Sequence, residues 1–90
     1  MFTMWGKIIK DNKLLKDFTV HIEDYSLTRT QKVYKSLSSI CYEFDLATPI
    51  WLKKNQNEFI KHSKTRFSQD NFIETIEFDY LEFILLEDDY

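Results

Sequence analysis

The first hydrophobic positions of the chain fall in two β-competent stretches, MWGKIIK and KLLKDFTVHI. Asp11 and Asn12 lie between them, and both residue types tolerate the left-handed backbone that a tight turn needs, so the arrangement predicts a β-hairpin. Gly6, the only glycine, lies inside the first strand and indicates either a β-bulge or the close approach of a neighbouring side chain. With a two-residue turn, the expected cross-strand pairs are Ile8 with Leu15, Ile9 with Leu14, and Trp5 with Phe18.

A longer stretch that starts at Thr28 has hydrophobic positions at helical spacing. Thr28 is followed three residues later by Gln31, which is the spacing of a capping box that satisfies the first backbone amides of a helix. We therefore predict an amphipathic helix over roughly 28–45, ended by the Thr48-Pro49 pair. Its predicted buried side comprises Val33, Leu37, Ile40, Cys41 and Phe44. Its other faces carry Lys32, Lys35, Ser36, Ser39 and Glu43.

The segment after Pro49 is less regular. The apolar tripeptide 50–52 is either a short extended piece or the start of a second helix. A short helix over about 54–63 follows, and Phe59 and Ile60 form its predicted buried side. Beyond Thr65 the helical periodicity fades, and Asp70-Asn71 has the composition of a turn.

The last strong element is a strand within DYLEFILLEDDY. Apolar residues on both faces of this strand predict a central position in a sheet, or cover on both sides. The chain is therefore predicted to be a small α+β domain over 1–90, with an N-terminal hairpin, one long and one short helix, and a C-terminal strand that completes an antiparallel or mixed sheet. The alternating positions of the strand are Leu81, Phe83 and Leu85, with Ile84 and Leu86 on the opposite face.

Composition supports a folded chain and narrows its location. Eight Phe, five Tyr and two Trp give 90 residues enough apolar area for one core, and a single Gly and a single Pro argue against disorder. No apolar run is long enough to cross a membrane, and the N-terminus lacks the layout of a secretory signal. Cys41 is the only cysteine, so it predicts a reducing, cytoplasmic setting and a small apolar filler on the long helix.

The net charge of −3 hides an asymmetry along the chain. Residues 70–90 contain eight carboxylates and no Lys or Arg, whereas residues 53–66 carry five cations against Glu58 alone. Such a dipole is either satisfied within the fold or presents each pole to a different partner. The five cations are Lys53, Lys54, Lys61, Lys64 and Arg66.

The usual catalytic and ligand motifs are missing. His21, His62 and Cys41 lie at none of the paired spacings that metal sites use, and no glycine-rich loop could cradle a phosphate. His62 with Ser63 could form a nucleophile–base pair, but this segment is also typical of a helix end, where cations are favourable. We therefore predict no enzyme activity, no catalytic residue, no metal and no cofactor.

Three strings resemble a family of short uncharacterised proteins from clostridia-type bacteria: WGKIIKDN, CYEFDLATPIWL and HSKTRFSQDNFIETIEFDYLEF. The likeness covers nearly the whole chain, and its most specific part is the start of the third string. The resemblance implies a small, cytoplasmic, single-domain protein. It implies no activity and carries over no functional residue.

These observations predict a small non-enzymatic binding protein whose partner is a macromolecule, with a protein favoured over a nucleic acid. One alternative is an inhibitor, of phage or mobile-element type, that places an acidic C-terminal face in the groove of a nucleic-acid-handling defence enzyme. Another is nucleic-acid binding through the basic segment 53–66. Partner identity, oligomeric state and strand order stay open. The candidate binding residues are Lys61, His62, Lys64, Arg66, Gln69, Asn71, Glu74, Glu77, Asp79 and Glu82.

Overall fold

A computed structural model describes residues 1–89 and contains one antiparallel sheet with two helices. The strand order is β2-β1-β4-β3, so the N-terminal hairpin lies beside the C-terminal strand. This architecture confirms the predicted α+β class. The strands are β1 (Phe2–Lys10), β2 (Lys13–Ile22), β3 (Lys64–Phe67) and β4 (Tyr80–Glu87). The helices are α1 (Arg29–Glu43), α2 (Lys53–His62) and a short 3-10 helix (Gln69–Asn71).

The hairpin turn is formed by the predicted residues. Asp11 and Asn12 have φ angles of 52° and 63°, the left-handed values that a tight hairpin turn needs. Immediately beside the turn, Ile9 pairs with Leu14, as expected. The local chemistry of two residues is therefore enough to locate the reversal of the chain.

The remaining predicted pairs of the hairpin are wrong by one residue. Ile8 pairs with Lys16 rather than Leu15, and the register shifts between Ile8 and Ile9. Leu15 is the extra residue of a β-bulge, which moves every later partner by one position; Trp5 accordingly faces Thr19 and not Phe18. This shift gives β2 a helix-facing row of Phe18, Val20 and Ile22.

Gly6 marks a close approach of a neighbouring side chain, which was one of its two predicted meanings. A Cβ atom at this position would lie 2.5 Å from Cγ2 of Ile40 on α1. Only a residue without a side chain lets the helix come this near to β1. The contact fixes which face of the sheet the helices cover.

The capping box and buried stripe of α1 are confirmed. Thr28 Oγ1 accepts from the Gln31 amide, and Gln31 Oε1 accepts from the Thr28 amide. The helix ends at Glu43, ahead of Pro49, where Asp45 turns into the left-handed region with a φ of 56°. The predicted buried residues Val33, Leu37, Ile40, Cys41 and Phe44 all lie in the core.

Two residues assigned to the outer faces of α1 are instead buried. Ser36 is small enough to pack beneath the helix, and the side chain of Lys32 passes over the ring of Phe2 to an ion pair with Asp89. Lysine reaches such a position because its aliphatic stem packs against apolar groups while its ammonium group finds a carboxylate.

The second helix buries less than the sequence predicted. Residues 50–52 form no helix or strand, Leu52 has an extended backbone, and α2 begins at Lys53. Phe59 is buried as expected, but Ile60 is 82% exposed, because only the side of α2 that carries Asn55 and Phe59 meets the sheet. The strand β3, which follows α2 directly, has no counterpart in the prediction.

The C-terminal strand is central, since β4 pairs with β1 on one side and β3 on the other. Leu81 and Phe83 face the helices and are fully buried. The opposite side of the sheet carries half-buried Ile84 and exposed Leu86, so the first of the two predicted settings, a central strand, is the observed one.

The Gly6 contact gives a stability prediction. We expect Gly6→Ala to lower the free energy of unfolding by about 1–3 kcal/mol, because the new methyl group overlaps Ile40 in a packed core. Ile40→Ala removes the overlapping Cγ2 atom, so the double variant should lose less stability than the sum of the two single variants. Urea unfolding measures all three, and strictly additive losses would contradict the contact.

Candidate functional site

The predicted basic segment is split between two elements and is only partly neutralised. Lys61 and His62 form the last turn of α2, whereas Lys64 and Arg66 lie on β3. Arg66 forms an ion pair with Glu82. Lys61 and Lys64, like Lys53 and Lys54 in the first turn of α2, form no ion pair with residues 1–89. The structure therefore leaves most of this charge available at the surface.

Glu82 is the centre of an ion-pair triad on the sheet face opposite the helices, which we call the open face. Lys7 Nζ lies 3.1 Å from Glu82 Oε1, and Arg66 Nε lies 3.2 Å from Oε2. Burial alone would raise the pKa of Glu82, but the hydrogen bonds and charges of the two cations outweigh it and lower the pKa. Each cation also covers a ring, Lys7 that of Trp5 at 4.4 Å and Arg66 that of Tyr80 at 4.5 Å.

Two predicted binding residues, Asn71 and Gln69, use their side-chain amides for hydrogen bonds to backbone groups. Asn71 is fully buried; its Nδ2 donates to the Ile50 carbonyl at 2.8 Å and its Oδ1 accepts from the Ser68 amide at 3.0 Å. Gln69 Nε2 donates to the Glu74 carbonyl, and Gln69 Oε1 accepts from the Ile76 amide. Gln69 therefore holds the loop that precedes β4, whereas Asn71 also holds the segment before α2.

Asn71 belongs to a buried network that joins three elements. Asn71 Nδ2 also donates to Asn55 Oδ1 at 2.7 Å, and Asn55 is fully buried at the start of α2. Asn55 Nδ2 in turn donates to Thr65 Oγ1 at 2.9 Å and to the Arg66 carbonyl at 3.0 Å. Thr65 Oγ1 donates to Glu58 Oε1 at 2.7 Å. Together these bonds attach α2 to both β3 and the 3-10 helix.

Most of the predicted acidic residues also have partners inside the molecule. Glu74 Oε1 accepts from the Ala47 amide at 2.9 Å, and Asp79 Oδ2 accepts from the Asp11 amide at the hairpin turn at 2.9 Å. Glu77 is exposed and makes no hydrogen bond or ion pair with residues 1–89. All three carboxylates stay exposed, so they keep an acidic surface near β4.

The C-terminal carboxylates are paired with α1 and the N-terminus. Asp88 accepts from Arg29 Nε at 2.7 Å, and Asp89 forms an ion pair with Lys32. The amino group of Met1 lies 3.2 Å from a Glu87 oxygen and 3.5 Å from an Asp89 oxygen. The hydrogen bond from Lys32 lowers the pKa of Asp89. The carboxylates of residues 87–89 are thus neutralised by cations of the same fold.

A groove between α1 and α2, which sequence reasoning did not anticipate, is lined mainly by apolar side chains. Its volume is about 230 Å³. Ile60 and Tyr34 are 82% and 51% exposed at its rim. Trp51 meets Tyr34 and Phe59 edge-on, with ring centroids 6.1 and 5.8 Å apart. We call this the helical groove; it is lined by Thr30, Val33, Tyr34, Trp51, Gln56, Phe59 and Ile60.

The sequence did contain a signal for this groove. Phe59 and Ile60 are adjacent, and neighbouring helical residues point about 100° apart, so a helix that buries one of them on a sheet turns the other outward. An apolar residue in that outward position indicates a surface for another molecule or a second layer of the same chain. The chain supplies no such layer from residues 1–89.

The candidate nucleophiles Cys41 and Ser63 lie in the core and at a helix end. Cys41 is 1% exposed, and burial raises the pKa of its thiol to about 12, so it stays protonated at neutral pH. His62 and Ser63 end α2, where Ser63 adopts a left-handed φ of 58° and its carbonyl accepts from the Leu85 amide. Within residues 1–89 no three His, Cys, Asp or Glu side chains cluster as a metal site would require.

Comparisons with known proteins found no match. No family model matches the chain, and neither a curated protein nor a solved structure matches it. The resemblance to clostridial proteins therefore stays a prediction. Among the described residues, none of the helices has the length and apolar character needed to cross a membrane.

The buried asparagine network yields a second stability prediction. We expect Asn71→Ala to cost about 2–4 kcal/mol, because the Ser68 amide, the Ile50 carbonyl and Asn55 Oδ1 each lose a partner, at roughly 1–3 kcal/mol for an unsatisfied buried group. Asn57→Ala, at an exposed position of α2, is the matched control and should change stability little. Equal urea midpoints for the two variants would contradict the structural role.

Glu82 gives a pH prediction. A carboxylate whose pKa is lowered by folding stabilises the native state above its ordinary value of 4.5, and that contribution is lost as the pH falls through the lowered pKa. We therefore expect Glu82→Gln to be less stable than the wild type by about 1–2 kcal/mol at neutral pH. The difference should shrink progressively below pH 4.5.

The control for this experiment is Glu77→Gln, which removes an exposed carboxylate without a partner among residues 1–89. Urea unfolding over a pH series should give this variant a small difference from the wild type at every pH. A Glu82→Gln difference that does not change with pH would contradict the ion-pair triad.

Proposed function

We propose that this protein is a small non-enzymatic binding protein and that it holds a protein partner in the helical groove. The observation that carries the proposal is Ile60, an isoleucine left almost fully exposed beside the rings of Trp51 and Phe59. Exposed apolar groups grouped around a concave surface are typical of a site that another molecule covers.

The size and lining of the groove favour a macromolecule over a small ligand. At about 230 Å³ it is smaller than the roughly 300–1,000 Å³ of drug-sized ligand pockets. It has no charged lining residue, and Thr30 and Gln56 supply its only polar side chains apart from the tyrosine and tryptophan. One or two apolar anchors of a protein chain fit such a surface, as in peptide recognition by helical grooves.

The surroundings of Cys41 and His62 support the proposal that the protein is not an enzyme. The Cys41 thiol is buried and protonated, and His62 lies at an exposed helix end. A hollow near His62, about 180 Å³ in volume, mixes the cations of Lys64 and Arg66 with the carboxylates of Glu58 and Glu82, both of which already have partners. We propose no reaction for it.

Nucleic-acid binding is the second candidate, because Lys53, Lys54, Lys61 and Lys64 have no ion-pair partner among residues 1–89 and could contact phosphates. The inhibitor that imitates a nucleic acid has less support, since Asp88, Asp89 and Glu82 are paired internally. A cytoplasmic location and clostridial kinship remain expectations of the proposal.

Photo-crosslinking tests the proposed function directly. A photoreactive phenylalanine analogue in place of Ile60, expressed in the cell of origin, should yield a discrete protein adduct that mass spectrometry identifies, because this side chain stands at the rim of the groove. The same analogue in place of Ile73, which is 91% exposed and outside the groove, is the matched control and should not yield that adduct.

Three outcomes would overturn protein binding at the groove. The first is the absence of an adduct at position 60, and the second is the same set of adducts at positions 60 and 73. The third is an adduct at position 60 that nuclease removes, which would favour nucleic-acid binding.

A further inference from the structure

We infer that the partner segment in the helical groove is an amphipathic α-helix with an acidic polar face. The inference rests on the proposed function and names the chemical class of its partner. It is carried by two features of the groove: its walls come mainly from two helices, and the lysines at the two ends of α2 form no ion pair with residues 1–89.

The helical walls determine how a partner can bind. Thr30, Val33 and Tyr34 come from α1, and Gln56, Phe59 and Ile60 come from α2, so most of the main-chain groups behind them are used within these helices; Trp51 comes from the segment before α2. The edge strands β2 and β3 contribute no residue to the groove. A partner in extended form would find no sheet edge to pair with, whereas a helix satisfies its own backbone and needs only apolar contact.

The shape of the groove fits the side chains of such a helix. An amphipathic helix presents apolar residues three and four positions apart along one stripe. A benzene molecule occupies an apolar cavity of about 150 Å³, so a groove of about 230 Å³ has room for a leucine or phenylalanine anchor. The rings of Trp51 and Phe59 provide the apolar floor that such an anchor covers.

The charges beside the groove select the polar face of the partner. Lys53 lies one turn before Gln56 on the same side of α2, whereas Lys61, next to Ile60 in the last turn, points about 100° away from it and lies beyond the exposed rim of the groove. Neither lysine, nor Lys54, forms an ion pair with residues 1–89. The only carboxylate of α2, Glu58, instead accepts a hydrogen bond from Thr65. A partner with carboxylates flanking its apolar stripe therefore complements this surface, and one with lysines is repelled.

Two other occupants fit less well. A nucleic acid would use the lysines but has no group that needs exposed Ile60. A second copy of this chain could offer exposed Ile73 beside Glu74 and Glu77, an apolar side chain among acids. Those residues lie in an irregular loop, not a helix, so they cannot present the required stripe. Both occupants are outcomes that the test below can reveal.

Two synthetic helical peptides test the inference. Both carry the same leucine stripe and the same fluorescent label, and they differ only in having glutamates or lysines on the polar face. Fluorescence anisotropy with the whole protein should show the glutamate peptide binding at least about tenfold more tightly than the lysine peptide at low salt. The preference should decrease as salt is added, because surface charges are screened.

Variants at exposed positions locate the bound peptide. Ile60→Glu should weaken binding of the glutamate peptide by about tenfold or more, since it removes an apolar contact and adds repulsion. Ile73→Glu makes the same substitution at the other highly exposed isoleucine and should leave binding unchanged. Circular dichroism checks that both variants keep the fold.

A charge reversal supplies the matching electrostatic test. The double variant Lys53→Glu, Lys61→Glu should bind the glutamate peptide more weakly and the lysine peptide more tightly than the wild type does. The double variant Lys10→Glu, Lys13→Glu makes an identical change in net charge on exposed residues at the hairpin turn. It should still bind the glutamate peptide more tightly than the lysine peptide.

Contrary results separate the inference from the proposed function. Equal binding of the two peptides, tighter binding of the lysine peptide, or no binding of either one overturns the acidic-helix class, while the crosslink at Ile60 still decides whether a protein is held there at all. Self-association that Ile60→Glu abolishes would assign the groove to a second copy and overturn the inference. Oligonucleotide binding that the reversal of Lys53 and Lys61 abolishes would do the same.

Discussion

The arrangement of the molecule depends on one buried hydrogen bond between two asparagine side chains, Asn55 and Asn71. Each side-chain oxygen also accepts from the backbone amide three residues earlier, so each asparagine closes the first turn of its own helix. The remaining amide protons bind Thr65, the Arg66 carbonyl and the Ile50 carbonyl. A polar pair of this kind specifies one geometry, because a displaced helix would leave several buried groups without partners. The position of α2, and with it the helical groove, follows from this pair.

The sheet divides the molecule into two different surfaces. On the helix side, Phe59 stacks on Phe83 with centroids 5.7 Å apart, and aromatic packing continues through Trp51. On the open face, Lys7, Glu82 and Arg66 satisfy one another across three strands. The charges of this triad on the open face are therefore paired within the fold, and the rings of Trp5 and Tyr80 are covered by Lys7 and Arg66. The helical groove has no comparable cover, which is why we favour it as the binding surface.

The sequence predicted what depends on neighbouring residues and missed what depends on distant ones. The hairpin turn, the capping box of α1 and the alternation of β4 are local, and each is present in the structure. The bulge at Leu15 is a matter of pairing between strands, and it changed the predicted partners of Ile8 and Trp5. The exposure of Ile60 depends on the side of α2 that Asn55 fixes, and the partner of Asn55 lies sixteen residues away. Asn71 reads as a turn residue in the sequence, because nothing near it shows that its amide closes a buried network.

The charge asymmetry of the chain explains why the lysines of α2 have no ion-pair partner among residues 1–89. The carboxylates near the C-terminus are consumed by cations outside the basic segment, namely Arg29, Lys32 and the N-terminal amine, while Glu82 is shared between Lys7 and Arg66. Arg66 is thus the one member of the segment that the acidic end neutralises. The lysines at the two ends of α2 form no ion pair with residues 1–89, and the apolar groove on one side of this helix is uncovered. A surface with both properties is complementary to a ligand that is apolar along one stripe and acidic around it.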